Sequence, residues 1–164
     1  MADGIHTLAK GHTNLKQLIK KWVTMRYKIL VDSVVLANKP LSNLEIINAA
    51  KVLSLYGFFR VVFLRDIVPT NTKLKECGIL NLDLSSGDGT HWVMWFKKGK
   101  ENFYFDSYGV HPPSELIAYL KSQIFFNSKR VQQNGEVFCG HLCLFALKQL
   151  SLGNNLQALL NYLI

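Results

Sequence analysis

The chain has 164 residues, 49% of them apolar and 18% charged, which suits a single domain of roughly 100–200 residues and excludes a disordered, collagen-like or low-complexity polymer. Lys and Arg total 19 against 11 Asp and Glu, a formal charge of +8, which favours polyanionic partners without selecting one. The cysteines are three, Cys77, Cys139 and Cys143, an odd number in a chain large enough to need no disulfide staple, so free thiols in a reducing, intracellular setting are expected.

Residues 1–12 are polar and expected to be poorly ordered, with no apolar run of the secretory kind. The apolar stretch 29–37 is interrupted by Asp32 and Ser33, so neither a signal peptide nor a membrane span is expected. From residue 13, Leu15, Leu18, Ile19, Trp22 and Val23 recur at helical spacing with Lys16, Lys20 and Lys21 between them. That pattern predicts an amphipathic helix whose basic face meets water. Residues 27–37 fit a continuation of this helix or a strand. Ser42 and Glu45 form a capping-box pattern ahead of Leu44, Ile47, Ala50 and Leu53, with Gly57 placed to end the turn, which predicts a helix over 43–56.

The aromatic and β-branched run 58–64 reads as a strand, 69–75 as the loop after it, and 77–82 as another strand. A turn at 85–89 precedes two strands, 90–97 and 102–108, joined by a hairpin loop at 98–101. Helix 114–124 follows Pro112-Pro113, a last short strand is predicted at 130–133, and Asn134-Gly135 marks a turn. Residues 139–150 form a strongly apolar helix ending near Gly153, and 154–164 a final helix. The fold class predicted is α+β, one domain with a central, mostly antiparallel sheet flanked by helices. The sequence has no internal repeat and no linker that would split it.

Three reactive residues fall on converging elements: His91 on a strand, Asp106 at the end of the next strand, and Cys139 opening a buried helix. Antiparallel strands joined by a short hairpin place His91 beside Asp106, so the carboxylate can orient the imidazole. A thiolate at a helix N-terminus gains from the macrodipole and the unpaired backbone N–H groups, which lowers the thiol pKa. His91 then stabilises the thiolate and protonates the leaving amine. Gln132 and Gln133 lie shortly before Cys139, where a side-chain amide can donate to an oxyanion alongside the Cys139 backbone N–H.

The blocks Gly89-Thr90-His91-Trp92, Tyr104-Phe105-Asp106-Ser107-Tyr108-Gly109 and the stretch from Gln132 to His141 resemble those of the adenain-type cysteine proteases. That family comprises the adenovirus maturation proteinase, relatives in Maverick/Polinton elements and adintovirus-like viruses, and, more distantly, the SUMO-specific proteases. The resemblance covers residues 42–152, and Phe63-Leu64-Arg65-Asp66 with Cys77 to Asp83 is most similar to the Maverick and adintovirus members.

The resemblance implies Cys139 as nucleophile, His91 as base and acid, and Asp106 as orienting carboxylate. Gln132 matches the adenovirus-type spacing of the oxyanion glutamine and is preferred; Gln133 matches the SUMO-protease spacing. Trp92, Gln133 and Gly140 fall on the substrate side. Trp92 resembles the tryptophan that covers a narrow channel suited to glycine-containing sequences. The implied function is cleavage of viral or viral-element structural precursors by a monomer in the host nucleus or virion.

Where Asp106 stands the adenovirus proteinase has Glu, and that proteinase is stimulated by a short viral peptide and by DNA. The basic first helix permits the DNA part, and no residue here demonstrates either dependence. Two other readings compete: an isopeptidase for a ubiquitin-like modifier, and a catalytically silent, basic DNA- or capsid-binding protein. Cys139-x-His141-x-Cys143 is not expected to hold a metal, because residue 141 points away from the helix face shared by 139 and 143. Cys77 and Cys143 read as core thiols.

Overall fold

The computed structural model describes residues 39–55 and 57–163; the helix predicted from residue 13 and the run 27–37 lie outside the described residues. The capping box forms as its residues dictate. The Ser42 hydroxyl accepts from the Glu45 N–H at 3.4 Å, and the Glu45 carboxylate accepts from the Ser42 N–H at 2.8 Å. Helix α1, Asn43–Val52, follows. It stops short of the predicted residue 56 because the chain turns out through Ser54, at a left-handed φ of 59°.

Five strands make one sheet in the order β1-β2-β3-β4-β5. They are β1 (Phe59–Leu64), β2 (Lys75–Asn81), β3 (Trp92–Lys98), β4 (Glu101–Phe105) and β5 (Ile124–Phe126). The β2–β3 and β3–β4 pairs are antiparallel, as expected of a hairpin meander. The outer pairs β1–β2 and β4–β5 are parallel, so the sheet is mixed rather than mostly antiparallel.

The edge beyond β4 differs most from expectation. Helix α2, Ser114–Leu120, ends where Lys121 adopts a left-handed φ of 57°, freeing residues 124–126 to run beside β4. Ile124 and Phe126 pack there against a cluster containing Tyr104 and Trp95. The strand predicted at 130–133 is a loop instead. The N–H groups of Val131 and Gln132 both donate to one acceptor, the Ser107 carbonyl, at 2.8 and 2.9 Å, which leaves no ladder to form.

Helices cover both faces, so β3 is buried from Trp92 to Phe96 and its side chains alternate between two apolar clusters. Trp92, Met94 and Phe96 face a cluster built with α1, α3 (Cys139–Ser151) and α4 (Leu156–Leu163). Val93 and Trp95 face a second cluster with Leu116, Tyr119 and Leu120 of α2. Gly78 gives Trp95 its place: a Cβ there would lie 2.2 Å from the indole. Among the described residues no helix is long and apolar enough to cross a membrane.

Candidate active site

The site forms at the end of the sheet where β3 begins and β4 ends. Extending the register Met94↔Phe105 by three residues sets His91 opposite position 108, with Asp106 its diagonal neighbour on the same face. The contacts follow this placement. His91 Nε2 lies 2.7 Å from Asp106 Oδ1, and the imidazole stacks on Tyr108 with ring centroids 4.5 Å apart at 18°. Asp106 is fully buried, and the same Oδ1 accepts the Tyr108 N–H at 2.7 Å. Two fixed donors on one oxygen hold the carboxylate rigidly.

Asn127, just past β5, fixes the backbone of Asp106 on both sides. Its Oδ1 accepts the Asp106 N–H at 3.0 Å, and its Nδ2 donates to the Asp106 carbonyl at 2.6 Å. The turn after Asp106 closes with the Gly109 N–H on the Asp106 carbonyl at 2.8 Å. Gly109 combines a φ of 70° with a backbone only 2.8 Å from where a Cβ would stand, so this turn needs glycine.

Cys139 is the first residue of the 13-residue helix α3, so it stands at the N-terminal end of the helix dipole. The imidazole of His91 favours the Cys139 thiolate by hydrogen bonding and by charge. Burial opposes ionisation of the thiol. The hydrogen bond and charge of His91 and the backbone N–H groups of Trp92 and Gly140 outweigh it and bring the thiol below its ordinary value. Burial likewise opposes the charged imidazole, but hydrogen bonds to Asp106 and Cys139, with their charges, raise His91 to about 9. Both shifts favour the thiolate–imidazolium pair over the neutral pair.

The other two thiols lack these partners. Burial raises both Cys77 and Cys143 above the ordinary thiol range, and the neighbouring negative charges of Glu76 and Cys139 add to the effect. Cys143 donates to the Trp92 carbonyl at 3.3 Å. His141 is buried and meets Phe138 edge-on at 5.5 Å.

The two glutamines separate clearly. Gln132 is 1% exposed; its Oε1 accepts from the Ser107 hydroxyl at 2.8 Å, and its Nε2 donates to the Glu136 carbonyl. Gln133 is exposed on the turn, its N–H on the Glu136 carboxylate at 2.9 Å. Trp92 is buried, its indole N–H donating to the Leu41 carbonyl at 2.9 Å. A Cβ on Gly140 would stand 3.2 Å from that indole and 3.3 Å from Leu41, so Gly140 lets the start of α3 close against Trp92.

Sequence reasoning did not single out Ser107, Tyr108 or Asn127 for a role. Ser107 and Tyr108 directly follow Asp106, but neither residue type nor spacing marks them. Asn127 lies 21 positions from the residue it holds.

The pair gives a pH profile with a definite sign. Below the lowered thiol value, protonation of Cys139 removes the nucleophile. Above about 9, loss of the His91 proton removes the acid. Turnover measured as kcat/KM is expected to rise as the thiol ionises and to fall about tenfold per unit above about 9. A rise continuing through pH 9 would show that a neutral imidazole suffices.

No family model matches the chain, and no curated protein matches it. Among solved structures, it is similar to the crystal structure of the selenomethionine ASFV pS273R protease, with a TM-score of 0.49 and 19% sequence identity. That match covers 68% of this chain and spans 58% of the other.

Proposed function

We propose that this protein is a cysteine endopeptidase in which Cys139 is the nucleophile, His91 the acid and base, Asp106 the orienting carboxylate and Gln132 an oxyanion donor. The observation that carries the reading is the His91 imidazole at 2.7 Å from a buried carboxylate, with the thiol that opens α3 lowered in pKa by that same imidazole. A structural histidine has no need of both partners.

The Cys139 thiolate attacks the scissile carbonyl carbon, and the carbonyl π electrons move to oxygen. The Gln132 amide and the Cys139 backbone N–H stabilise that oxyanion. Protonated His91 gives its proton to the amine nitrogen as the C–N bond breaks, leaving a thioester. Neutral His91 then takes a proton from water as the hydroxyl adds to the thioester carbon. Collapse of this second intermediate expels the thiolate and the carboxylic acid product.

Substrates, in this reading, are viral or viral-element structural precursors cut near glycine-containing sequences. The test is a panel of Gly-containing peptides and one ubiquitin-like fusion, with wild-type protein and Cys139→Ala, each with and without DNA. Cysteine-dependent peptide turnover is expected. Cleavage of the fusion alone would transfer the reading to an isopeptidase, and folded protein inert on every substrate would favour a binding protein. A gain on adding DNA would give the +8 charge a part in catalysis.

A further inference from the structure

We infer that Ser107 is a positioning residue that decides which end of the Gln132 amide faces the reacting carbonyl; the inference rests on the protease reading above. A carboxamide has two unlike ends, and only Nε2 donates. The last torsion of glutamine is broad and roughly two-fold, so an unrestrained side chain would present oxygen to an oxyanion as readily as nitrogen.

Two contacts remove that freedom. The Glu136 carbonyl can only accept, which draws Nε2 toward it, and the Ser107 hydroxyl donates to Oε1 at 2.8 Å. One Nε2 proton goes to Glu136; in the protease reading the second serves the oxyanion. Ser107 is fully buried and Gln132 is 1% exposed, so no solvent exposure takes the place of a lost contact. The Ser107 carbonyl also accepts the N–H groups of Val131 and Gln132 at 2.8 and 2.9 Å, tying the glutamine's backbone to the same residue.

Asp106, one position earlier, orients His91. The dipeptide Asp106-Ser107 therefore holds the acid–base arm through one side chain and the oxyanion arm through the next.

Three variants test this: Ser107→Ala, Gln132→Ala and the double variant. Peptide kcat and KM are measured together with the rate of Cys139 alkylation by iodoacetamide across pH. Iodoacetamide is attacked at a saturated carbon, so no oxyanion forms and its rate reports the thiolate alone. Ser107→Ala is expected to lower kcat about tenfold or more, short of the roughly 10²–10³-fold cost of losing a donor outright. Its KM and alkylation profile should match wild type, and adding it to Gln132→Ala should cost nothing further. Ser107→Thr, which keeps the hydroxyl, should hold kcat above Ser107→Ala; if the extra methyl unfolds it, the cycle of the other variants still decides.

Independent, multiplying losses in the double variant, or alkylation slowed as much as turnover, would overturn the inference while leaving the protease reading intact. Wild-type kcat in Gln132→Ala would instead remove the oxyanion assignment, and absence of any Cys139-dependent turnover would remove the protease reading itself.

Discussion

Alanine at Cys139 or at His91 is expected to lower peptide turnover by about 10⁴-fold or more, the order of loss when a nucleophile or its base is removed from a triad acting as a unit. The two variants then part company in thiol chemistry. Cys139→Ala leaves only Cys77 and Cys143, both buried and both with raised pKa, so alkylation of the folded protein should nearly cease. His91→Ala keeps the sulfur and its burial but loses the hydrogen bond and charge that favour the thiolate. Alkylation of Cys139 at pH 7 should therefore slow sharply and recover only at alkaline pH. Mass spectrometry of the labelled peptide reads both effects. Undiminished labelling of His91→Ala at pH 7 would show that the helix terminus and backbone N–H groups ionise the thiol alone, and the paired-charge account would fall.

What the sequence revealed of this site and what it hid follow one physical rule. His91, Asp106 and Cys139 were legible because their side-chain chemistry is rare in combination and because a hairpin, the most local of sheet connections, joins the first two. Strands β2, β3 and β4 were legible for the same reason: apolar runs with short turns between them. Ser107 and Asn127 were hidden because their roles exist only across 25 and 21 positions of chain. The β5 edge was hidden by backbone conformation. Nothing in the residue type of Lys121 foretells a left-handed turn at φ 57°, so the apolar pattern of α2 seemed to continue to residue 124. Both outer strand pairs are parallel and form by crossovers, which leave no turn signature between the partners.

The largest loss of stability is expected from Glu76→Ala, far from the chemistry. Glu76 is fully buried on β2 and pairs with Lys97, at the other end of β3 from His91. Its carboxylate gathers four donors: the Lys73 N–H at 2.8 Å, Arg60 and the Trp95 indole at 3.4 Å each, and the Tyr119 hydroxyl. Burial, and then the hydrogen bond and charge of Glu76, push the Tyr119 phenol above its ordinary range, so this hydroxyl stays a donor. Alanine would strand the Trp95 and Tyr119 groups beside the second apolar cluster and leave Arg60 without its partner. Breaking a buried ion pair from one side costs about 3–5 kcal/mol, a large share of the roughly 5–15 kcal/mol that holds a domain folded. Glu76→Gln keeps one acceptor oxygen for Trp95 and Tyr119 but sets a donor NH2 against the Lys73 N–H and Arg60, so its denaturation midpoint should fall between wild type and Glu76→Ala. Urea titrations of the three proteins check the order. Cys139 alkylation in the folded fraction should be unchanged in both variants, because nothing in the Glu76 network touches His91, Asp106 or Cys139. A midpoint for Glu76→Ala within error of wild type would mean that the four donors find other acceptors, and the carboxylate would lose its place as the anchor of that face of the sheet.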